Sequence, residues 1–279
     1  MTAPAGLVPW QGEGWRGWIA AGTGIDPARC LAAATGSEGR ASRHARTVRL
    51  ASDGGPLWVK SYPPPGGARA RRALRMGQAL CAAGFAAPAV VLAAWRGGAG
   101  LLVTRDVGGH DVATTLAARR RERAAKRALL RRLGAAIGHL HGAGFVHGDL
   151  VPPNVYVVDE RFVLLDHDRT RRGRLLVCFG ACRNLVQLGR FVVPGVTLAD
   201  RARVLAAYAD ARGLSRRQRR RLGWWVVRKT TARRCAIDHV SPAAARRVGY
   251  RTLMRSGGPF DPASRAGEQP LPPAAGAPG

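Results

Sequence analysis

Acidic residues are scarce in this chain of 279 residues. Asp and Glu together number 17 against 45 Lys and Arg, so the formal net charge is +28 at pH 7. A protein this basic attracts polyanions such as nucleic acid, anionic lipid or a phosphorylated glycan. The arginines are spread along the whole chain, and no nucleic-acid recognition motif accompanies them. Nucleic acid is therefore the least favoured of these three partners.

Long apolar runs and paired cysteines are also scarce. No stretch reaches the ~20 apolar residues of a transmembrane helix, and the N-terminus carries no signal-peptide pattern. Five cysteines without secreted-domain spacing favour a reducing compartment, so we expect a cytoplasmic protein. Cys178 with Cys182 and Cys235 with His239 have spacings that could hold zinc, although buried thiols are the simpler interpretation.

The chain changes from strand patterns to helix patterns near Asp106. Before it, strands are predicted at 47–50, 57–60, 90–94 and 101–104, and a helix at 68–83. After it, helices are predicted at 111–116, 119–141, about 181–192, 198–211 and 216–236, with a hairpin at 155–158 and 162–165. The cluster Trp10, Trp15 and Trp18 is expected to pack on the first lobe or to lie at a membrane interface.

This order predicts an α+β, protein-kinase-like fold with two lobes. The expected domains are a small strand-rich lobe over 1–105, a larger helical lobe over 106–255 and a disordered tail over 256–279 that is rich in Pro, Gly and Ala.

The strongest chemical signal is the segment His147-Gly148-Asp149, followed by Asn154 and then Asp166. Phosphoryl transfer needs a carboxylate near the acceptor hydroxyl and oxygen ligands that hold Mg²⁺ against the phosphates of ATP. The Asp149–Asn154 spacing matches a kinase catalytic loop, and Asp166 follows at the end of the next strand. Asp149 is thus the candidate catalytic residue, and Asn154 and Asp166 are the candidate metal ligands.

Lys60 ends a predicted strand at the position where kinases carry the lysine that grips the ATP phosphates. Gly36 and Gly39 would lie in a loop over those phosphates. Kinases usually hold the lysine with a Glu on the next helix, which would fall near Ala73, but no acidic residue occurs between Asp53 and Asp106. Gln78 or a residue from elsewhere must orient Lys60, or the protein is a pseudokinase that binds without turnover.

The run Leu-Leu-Asp-His-Asp-Arg at 164–169, the His-Gly-Asp loop and the helix at 183–191 resemble the lipopolysaccharide kinase family over roughly residues 40–210. These are the Kdo and heptose kinases of the inner core. The resemblance implies an ATP- and Mg²⁺-dependent enzyme that acts on an anionic sugar or glycolipid at the inner face of the cytoplasmic membrane. It also implies that Asp149 is the catalytic carboxylate, that Asn154 and Asp166 hold the metal, and that Lys60 binds ATP.

Two features of the sequence indicate what kind of acceptor molecule receives the phosphoryl group. Gly148 replaces the Arg that regulated protein kinases use to bind an activation-loop phosphate, and about fifteen residues separate Asp168 from the next predicted helix. Both favour a small acceptor over a peptide. Asp168, Arg169, Arg171 and Arg172 are candidate acceptor residues, although a solvated basic loop would look the same. A kinase of another small molecule, such as an aminoglycoside, is the nearest alternative.

Overall fold

The computed structural model describes residues 4–37, 39–42 and 44–237. They form two compact units that interleave along the chain. The sheet unit comprises the chain up to Asp111 with 143–149 and 153–177, and the helical unit comprises 112–142, 150–152 and the chain from Cys178 onward. The domain limits expected from the sequence stay a prediction, and the tail over 256–279 lies outside the described residues. In the described part of the chain, no helix is long and apolar enough to cross a membrane.

A seven-stranded antiparallel sheet is the framework of the sheet unit. Its strands are β1 (Leu7–Gly12), β2 (Trp15–Ala20), β3 (Arg40–Ala41), β4 (Arg46–Leu50), β5 (Leu57–Tyr62), β6 (Val90–Arg96) and β7 (Ala99–Arg105). Their spatial order is β1-β2-β6-β7-β5-β4-β3. Lys60 lies on β5, next to the sheet centre, opposite Thr47 on one neighbour and Leu102 on the other.

The two faces of β5 are buried differently because successive side chains of a strand point to opposite faces. Leu57 and Val59 belong to a core cluster that includes Cys30 and Leu31 of helix α1 (Pro27–Thr35). Tyr62 lies in a second cluster with residues of helix α2 (Gly67–Ala82). Lys60 and Tyr62 are two residues apart on β5, so their side chains point to the same face of the sheet. This is the face that α2 covers.

Short strands complete the sheet unit. They are β8 (His110–Asp111), β9 (Phe145–Val146), β10 (Val155–Val158), β11 (Arg161–Leu164) and β12 (Arg171–Arg172). β10 pairs with β11 and β8, and β12 pairs with β9. The backbone of Ala86, which follows α2, accepts a hydrogen bond from the amide of Leu164 at 3.0 Å, so β11 is tied to the segment that joins α2 to β6.

Helices make up the helical unit, and glycines let two of them approach closely. A Cβ atom on Gly134 or Gly138 of α4 (Arg123–Gly142) would overlap atoms of α6 (Leu198–Ala211). Thr197 and Asp200 form the expected capping box at the start of α6. The helices are α3 (Val112–Ala118), α4 (Arg123–Gly142), α5 (Arg174–Gly189, which begins in the sheet unit), α6 (Leu198–Ala211) and α7 (Arg216–Ile237).

The structure confirms most predicted elements, corrects the start of one helix and adds several elements, including α1, that were not predicted. The helix expected at about 181–192 begins at Arg174, because the exposed Leu175 and Phe179 (81% and 84% exposed) hide the 3.6-residue period in its first turns. The distance from Asp168 to the next helix is therefore much shorter than fifteen residues. The hairpin β1-β2 was not predicted, and through it the tryptophans Trp10, Trp15 and Trp18 pack against the core of the sheet unit.

Candidate active site

Every catalytic and metal-binding residue predicted from the sequence lies in the sheet unit. Lys60 extends from β5 and Asp166 follows β11, and the Lys60 Nζ donates to Asp166 Oδ1 at 2.6 Å. The same Nζ lies 3.8 Å from Asp168 Oδ2. The Tyr62 ring, buried in the sheet unit, lies 5.2 Å from Nζ on another side. The fold thus brings together a lysine and two aspartates that stand more than a hundred residues apart in sequence.

The two carboxyl groups share one ammonium group and respond in opposite directions. Burial alone would raise the pKa of Asp166, but the charge and the hydrogen bond of Lys60 hold that pKa below its usual value. Burial and the neighbouring Asp166 charge raise the pKa of Asp168 to about 6. This is a site with more negative than positive charge, which is the arrangement that a divalent cation can neutralise.

Asp166 has a backbone conformation that few residues adopt. Its φ of 62° and ψ of 72° place it in the left-handed region, which Asp tolerates better than most non-glycine residues. The preceding amide, that of Leu165, donates to the carbonyl oxygen of Asn154 at 2.9 Å. This hydrogen bond ties the start of the Asp166 segment to the end of the predicted catalytic loop.

The loop from His147 to Asn154 is held by its own side chains. Asn154 Nδ2 donates to the carbonyl oxygen of Asp149 at 3.0 Å, and the buried His147 donates from Nε2 to the carbonyl oxygen of Leu165 at 2.7 Å. Thr170 Oγ1 donates to the carbonyl oxygen of His147 at 3.1 Å. Burial lowers the pKa of His147, so its imidazole is neutral and acts as a fixed hydrogen-bond donor.

Gly148 has a local physical role that the sequence did not reveal. Its φ is 79°, and a Cβ atom would overlap the carbonyl oxygen of Arg169. A side chain at 148 is therefore excluded by the close approach of two backbone segments. The glycine follows from this packing, whatever the chemistry of the acceptor.

No carboxylate of α2 orients Lys60, and α2 instead contacts the turn that follows Asp166. Ala73 is 2% exposed within an apolar cluster, and Gln78 Nε2 donates to the carbonyl oxygen of Ala5 at 3.4 Å, so neither orients Lys60. Instead α2 contacts the turn His167–Arg169. Arg72 Nη1 donates to the carbonyl oxygen of Asp168 at 3.4 Å, and a Cβ on Gly77 would lie 3.6 Å from the His167 ring. Lys60 is thus oriented by residues from elsewhere, one of the alternatives that the sequence left open.

In the helical unit, a hydrogen-bonded chain reaches the residue that follows Asp149. His141 Nε2 donates to Asn184 Oδ1 at 3.2 Å, Asn184 Nδ2 donates to Gln187 Oε1 at 2.9 Å, and Gln187 Oε1 accepts the amide of Leu150 at 3.2 Å. Asn184 and Gln187 belong to the helix at 183–191 that carries part of the family resemblance. Their role was missed from the sequence because only the fold shows what their amides bind.

A lipopolysaccharide kinase (Kdo/WaaP) family model matches residues 59–208, which is more than half of the chain and includes Lys60, Asp149, Asn154 and Asp166. The chain belongs to this family. Its members are ATP-dependent kinases, so this chain is a phosphotransferase with a protein-kinase-like fold, as its element order also indicates. A search of curated proteins gives no match. Among solved structures, an aminoglycoside-3'-phosphotransferase of type VIII resembles it with a TM-score of 0.45 and 20% identity, over 69% of this chain and 90% of that chain.

Gly36 and Gly39 lie before the hairpin of β3 and β4 in this family member. Gly36 caps α1, and Gly39, with a φ of 101°, lies where a Cβ would be 2.6 Å from the Thr47 carbonyl oxygen. The turn that joins β3 to β4 comes later, and its Ser42 Oγ donates to the Ala45 carbonyl oxygen at 2.8 Å. That the two glycines cover the ATP phosphates stays a prediction. The turn at Ser42 is a further candidate for this role, and the glycine pattern of the sequence did not point to it.

The predicted metal ligands fit a magnesium site that phosphate oxygens complete. Mg²⁺ in nucleotide sites is usually held by one or two carboxylates together with substrate phosphates. Asp166 supplies a carboxylate, and Asn154 keeps its amide oxygen as a ligand atom because its nitrogen is used by Asp149. The described residues contain no cluster of three or more His, Cys, Asp or Glu that could hold a metal without such help.

Zinc binding by the Cys pairs stays open, because His239 and the Cys178 side chain lie outside the part of the chain that the structure describes.

The basic segment after Asp168 is exposed and partly apolar. Arg169, Arg171 and Arg172 are exposed, and the Arg172 guanidinium lies 5.0 Å from the Phe145 ring centroid. Leu175 and Leu176 follow at the start of α5, 81% and 41% exposed. Positive charge and uncovered apolar surface therefore adjoin Asp168 within the sheet unit.

Proposed function

We propose that the protein transfers the γ-phosphoryl group of ATP to a hydroxyl group of an inner-core sugar, Kdo or heptose, of a lipid-linked, anionic lipopolysaccharide. The observation that carries the proposal is the assembly of Lys60, Asp166 and Asp168 beside the Asp149–Asn154 loop. Family membership supports the phosphotransferase chemistry, and the basic surface supports an anionic acceptor.

Each site residue has a role in this proposal. Lys60 binds the ATP phosphates, and Asp149 orients the acceptor hydroxyl and takes its proton. Asn154 and Asp166 hold Mg²⁺, which when bound would neutralise negative charge on the phosphates. His147 donates to the Leu165 backbone and accepts from the Thr170 side chain, and Gly148 lets the loop approach the Arg169 backbone, so that Asp149 and Asp166 stay on adjoining segments.

The acceptor side of the proposal depends on Arg169, Arg171 and Arg172. Guanidinium groups bind carboxylate and phosphate groups in a bidentate geometry. An acidic sugar on a lipid offers such groups beside acyl chains, which match the exposed Leu175 and Leu176. We also propose that the protein works at the inner face of the cytoplasmic membrane, where each basic residue near an anionic surface contributes about 1 kcal/mol.

The direct test is a transfer assay with labelled ATP and a panel of acceptors. The panel contains dephosphorylated inner-core lipopolysaccharide, free Kdo, free heptose and an aminoglycoside. We expect phosphate on the core sugar, and a loss of ~10²–10⁴-fold in turnover for Asp149→Asn with nucleotide affinity retained. Transfer to the aminoglycoside alone would support the alternative small-molecule kinase. Nucleotide binding without transfer to any acceptor would support a pseudokinase.

A paired-variant experiment tests the acceptor surface. Arg171→Gln with Arg172→Gln is compared with Arg216→Gln with Arg217→Gln, which removes the same charge from the exposed start of α7. We expect weaker binding to lipopolysaccharide vesicles for the first pair, with ATP affinity unchanged, and little effect for the control pair. Equal losses for both pairs would mean that the basic charge acts as a general field. Displacement from the vesicles by duplex DNA at far lower phosphate concentration than by lipopolysaccharide would favour nucleic acid.

A further inference from the structure

Lys60 needs a fixed anion to hold it, and helix α2 offers none. Its sixteen residues, Gly67–Ala82, contain no Asp or Glu, and the expected position, Ala73, is occupied by a side chain inside an apolar cluster. An ion pair between the lysine and a carboxylate is required in kinases for a competent nucleotide site. The anion must therefore come from another element of the sheet unit.

Two carboxylates lie within reach of the lysine, and they differ in what else they can do. Asp166 Oδ1 is at 2.6 Å and Asp168 Oδ2 at 3.8 Å from Lys60 Nζ. Asp166 is the proposed ligand of Mg²⁺, and a carboxylate that coordinates a dication is a weaker partner for an ammonium group. Asp168 is then the remaining anion beside Lys60.

The backbone around Asp168 is held in place from both sides. Arg72 of α2 donates to its carbonyl oxygen at 3.4 Å, and the amide of Thr170 donates to the His167 carbonyl oxygen at 3.1 Å. The residue is only 6% exposed. On the lysine side, the Tyr62 ring lies 5.2 Å from Nζ and limits how far the ammonium group can move. Both members of the pair are thus confined before any nucleotide binds.

We propose that Asp168 is the positioning residue for Lys60 and takes the place of the missing helix carboxylate. Helix α2 then contributes indirectly, through Arg72 and through its packing on the turn His167–Arg169, by holding the turn that carries Asp168. In this arrangement the lysine is anchored to the segment that also carries the metal ligand Asp166. The inference rests on the proposed function, because it assumes that Lys60 binds ATP.

A double-mutant cycle on nucleotide affinity tests the proposal. Mg-ATP binding is measured by calorimetry for the wild type, Asp168→Asn, Lys60→Met and the double variant. If Asp168 acts through Lys60, each single change lowers affinity about tenfold, and the double variant binds within about twofold of Lys60→Met. If the two losses multiply instead, Asp168 acts independently of the lysine, for example on the metal, and the proposal is wrong.

Two controls keep the outcome unambiguous. Asp159→Asn makes the same chemical change at an exposed turn with φ of 46° and should leave affinity unchanged. Asp168→Glu keeps the charge and should retain more affinity than Asp168→Asn, whereas equal losses would contradict a charge-based role. Melting temperatures verify that each variant folds. Failure of the wild type itself to bind Mg-ATP would overturn the proposed function along with this inference, while multiplicative losses would overturn the inference alone.

Discussion

Each unit contains a lysine paired with aspartate, Lys126 buried in one and Lys60 half-buried in the other. The two sites differ in how completely the negative charge of the aspartates is balanced. In the helical unit, Lys126 Nζ lies 3.0 Å from Asp200 and donates to the Gly195 carbonyl oxygen at 2.7 Å. Asp200 also accepts from Thr197 and from Arg203, and these groups offset its burial and hold its pKa below the usual value. In the sheet unit, Lys60 faces two aspartates, and the pKa of one of them is raised.

The comparison shows that a buried Lys–Asp contact is not by itself a sign of function. The Lys126 network pairs Asp200 with two cations and joins the start of α6 to α4, as a structural ion pair does. The Lys60 network leaves excess negative charge at a place that the nucleotide and a metal ion are proposed to occupy. Perturbed carboxylates of this kind concentrate at functional sites, although structural networks also perturb pKa values.

The largest expected effect is a difference in the free energy of unfolding between variants of the two lysines. Lys126→Met leaves the buried Asp200 without its ammonium partner and should lower the free energy of unfolding by about 3 kcal/mol. Lys60→Met should cost less than about 1 kcal/mol, because Lys60 and Asp166 are partly exposed and Asp168 can take up a proton, but it should lower nucleotide affinity about tenfold. Urea unfolding and calorimetry measure the two quantities. Similar stability losses for both variants would remove the distinction.

The second effect concerns pH and the helical unit. His141 is buried, its Nδ1 accepts from the Tyr208 hydroxyl at 3.0 Å, and burial, aided by the charge of Arg212, lowers its pKa to about 4 from 6.5. The unfolded chain therefore binds a proton at a higher pH than the folded chain. The stability contribution is full above about pH 6.5 and is lost as the pH falls towards 4, to a total of about 3 kcal/mol.

Urea unfolding at pH 7 and pH 4.5 checks this dependence. We expect His141→Gln to be less stable than the wild type at pH 7 but to lose less stability between the two pH values, because glutamine does not titrate. If the variant and the wild type lose the same amount, other groups cause the pH dependence.

The smallest effect compares two glycines with positive φ. Gly213 has a φ of 59°, and a Cβ added there would meet no atom within 4 Å, whereas a Cβ on Gly148 would overlap the Arg169 backbone. Gly213→Ala should cost about 1 kcal/mol from backbone strain alone. Gly148→Ala should cost about 2 kcal/mol and should also reduce turnover, because it pushes the Asp149 loop from the segment after Asp166. Retained turnover in Gly148→Ala would mean that the site tolerates this displacement.

Much of the fold was predictable where side-chain periodicity was clear. The helix at 198–211 and its Thr197–Asp200 cap follow from an amphipathic pattern and a capping signal, both of which are local. The start of α5 was not predictable, because Leu175 and Phe179 place apolar surface in water and disturb the period. The hairpin β1-β2 was missed because its Gly residues interrupt any regular alternation of apolar and polar residues.

The sequence by itself determined the order of the candidate chemical groups. Lys60, Asp149, Asn154 and Asp166 are recognisable because loop and strand spacings are short-range properties, and the family match includes them all. The tertiary structure alone decided what faces Lys60. Its partner Asp166 is 106 residues away, and Asp168 lies beside it because α2 packs on the turn His167–Arg169. No local pattern specifies a contact over such a separation, since it depends on how the sheet, the helix and the turn pack around one half-buried ammonium group.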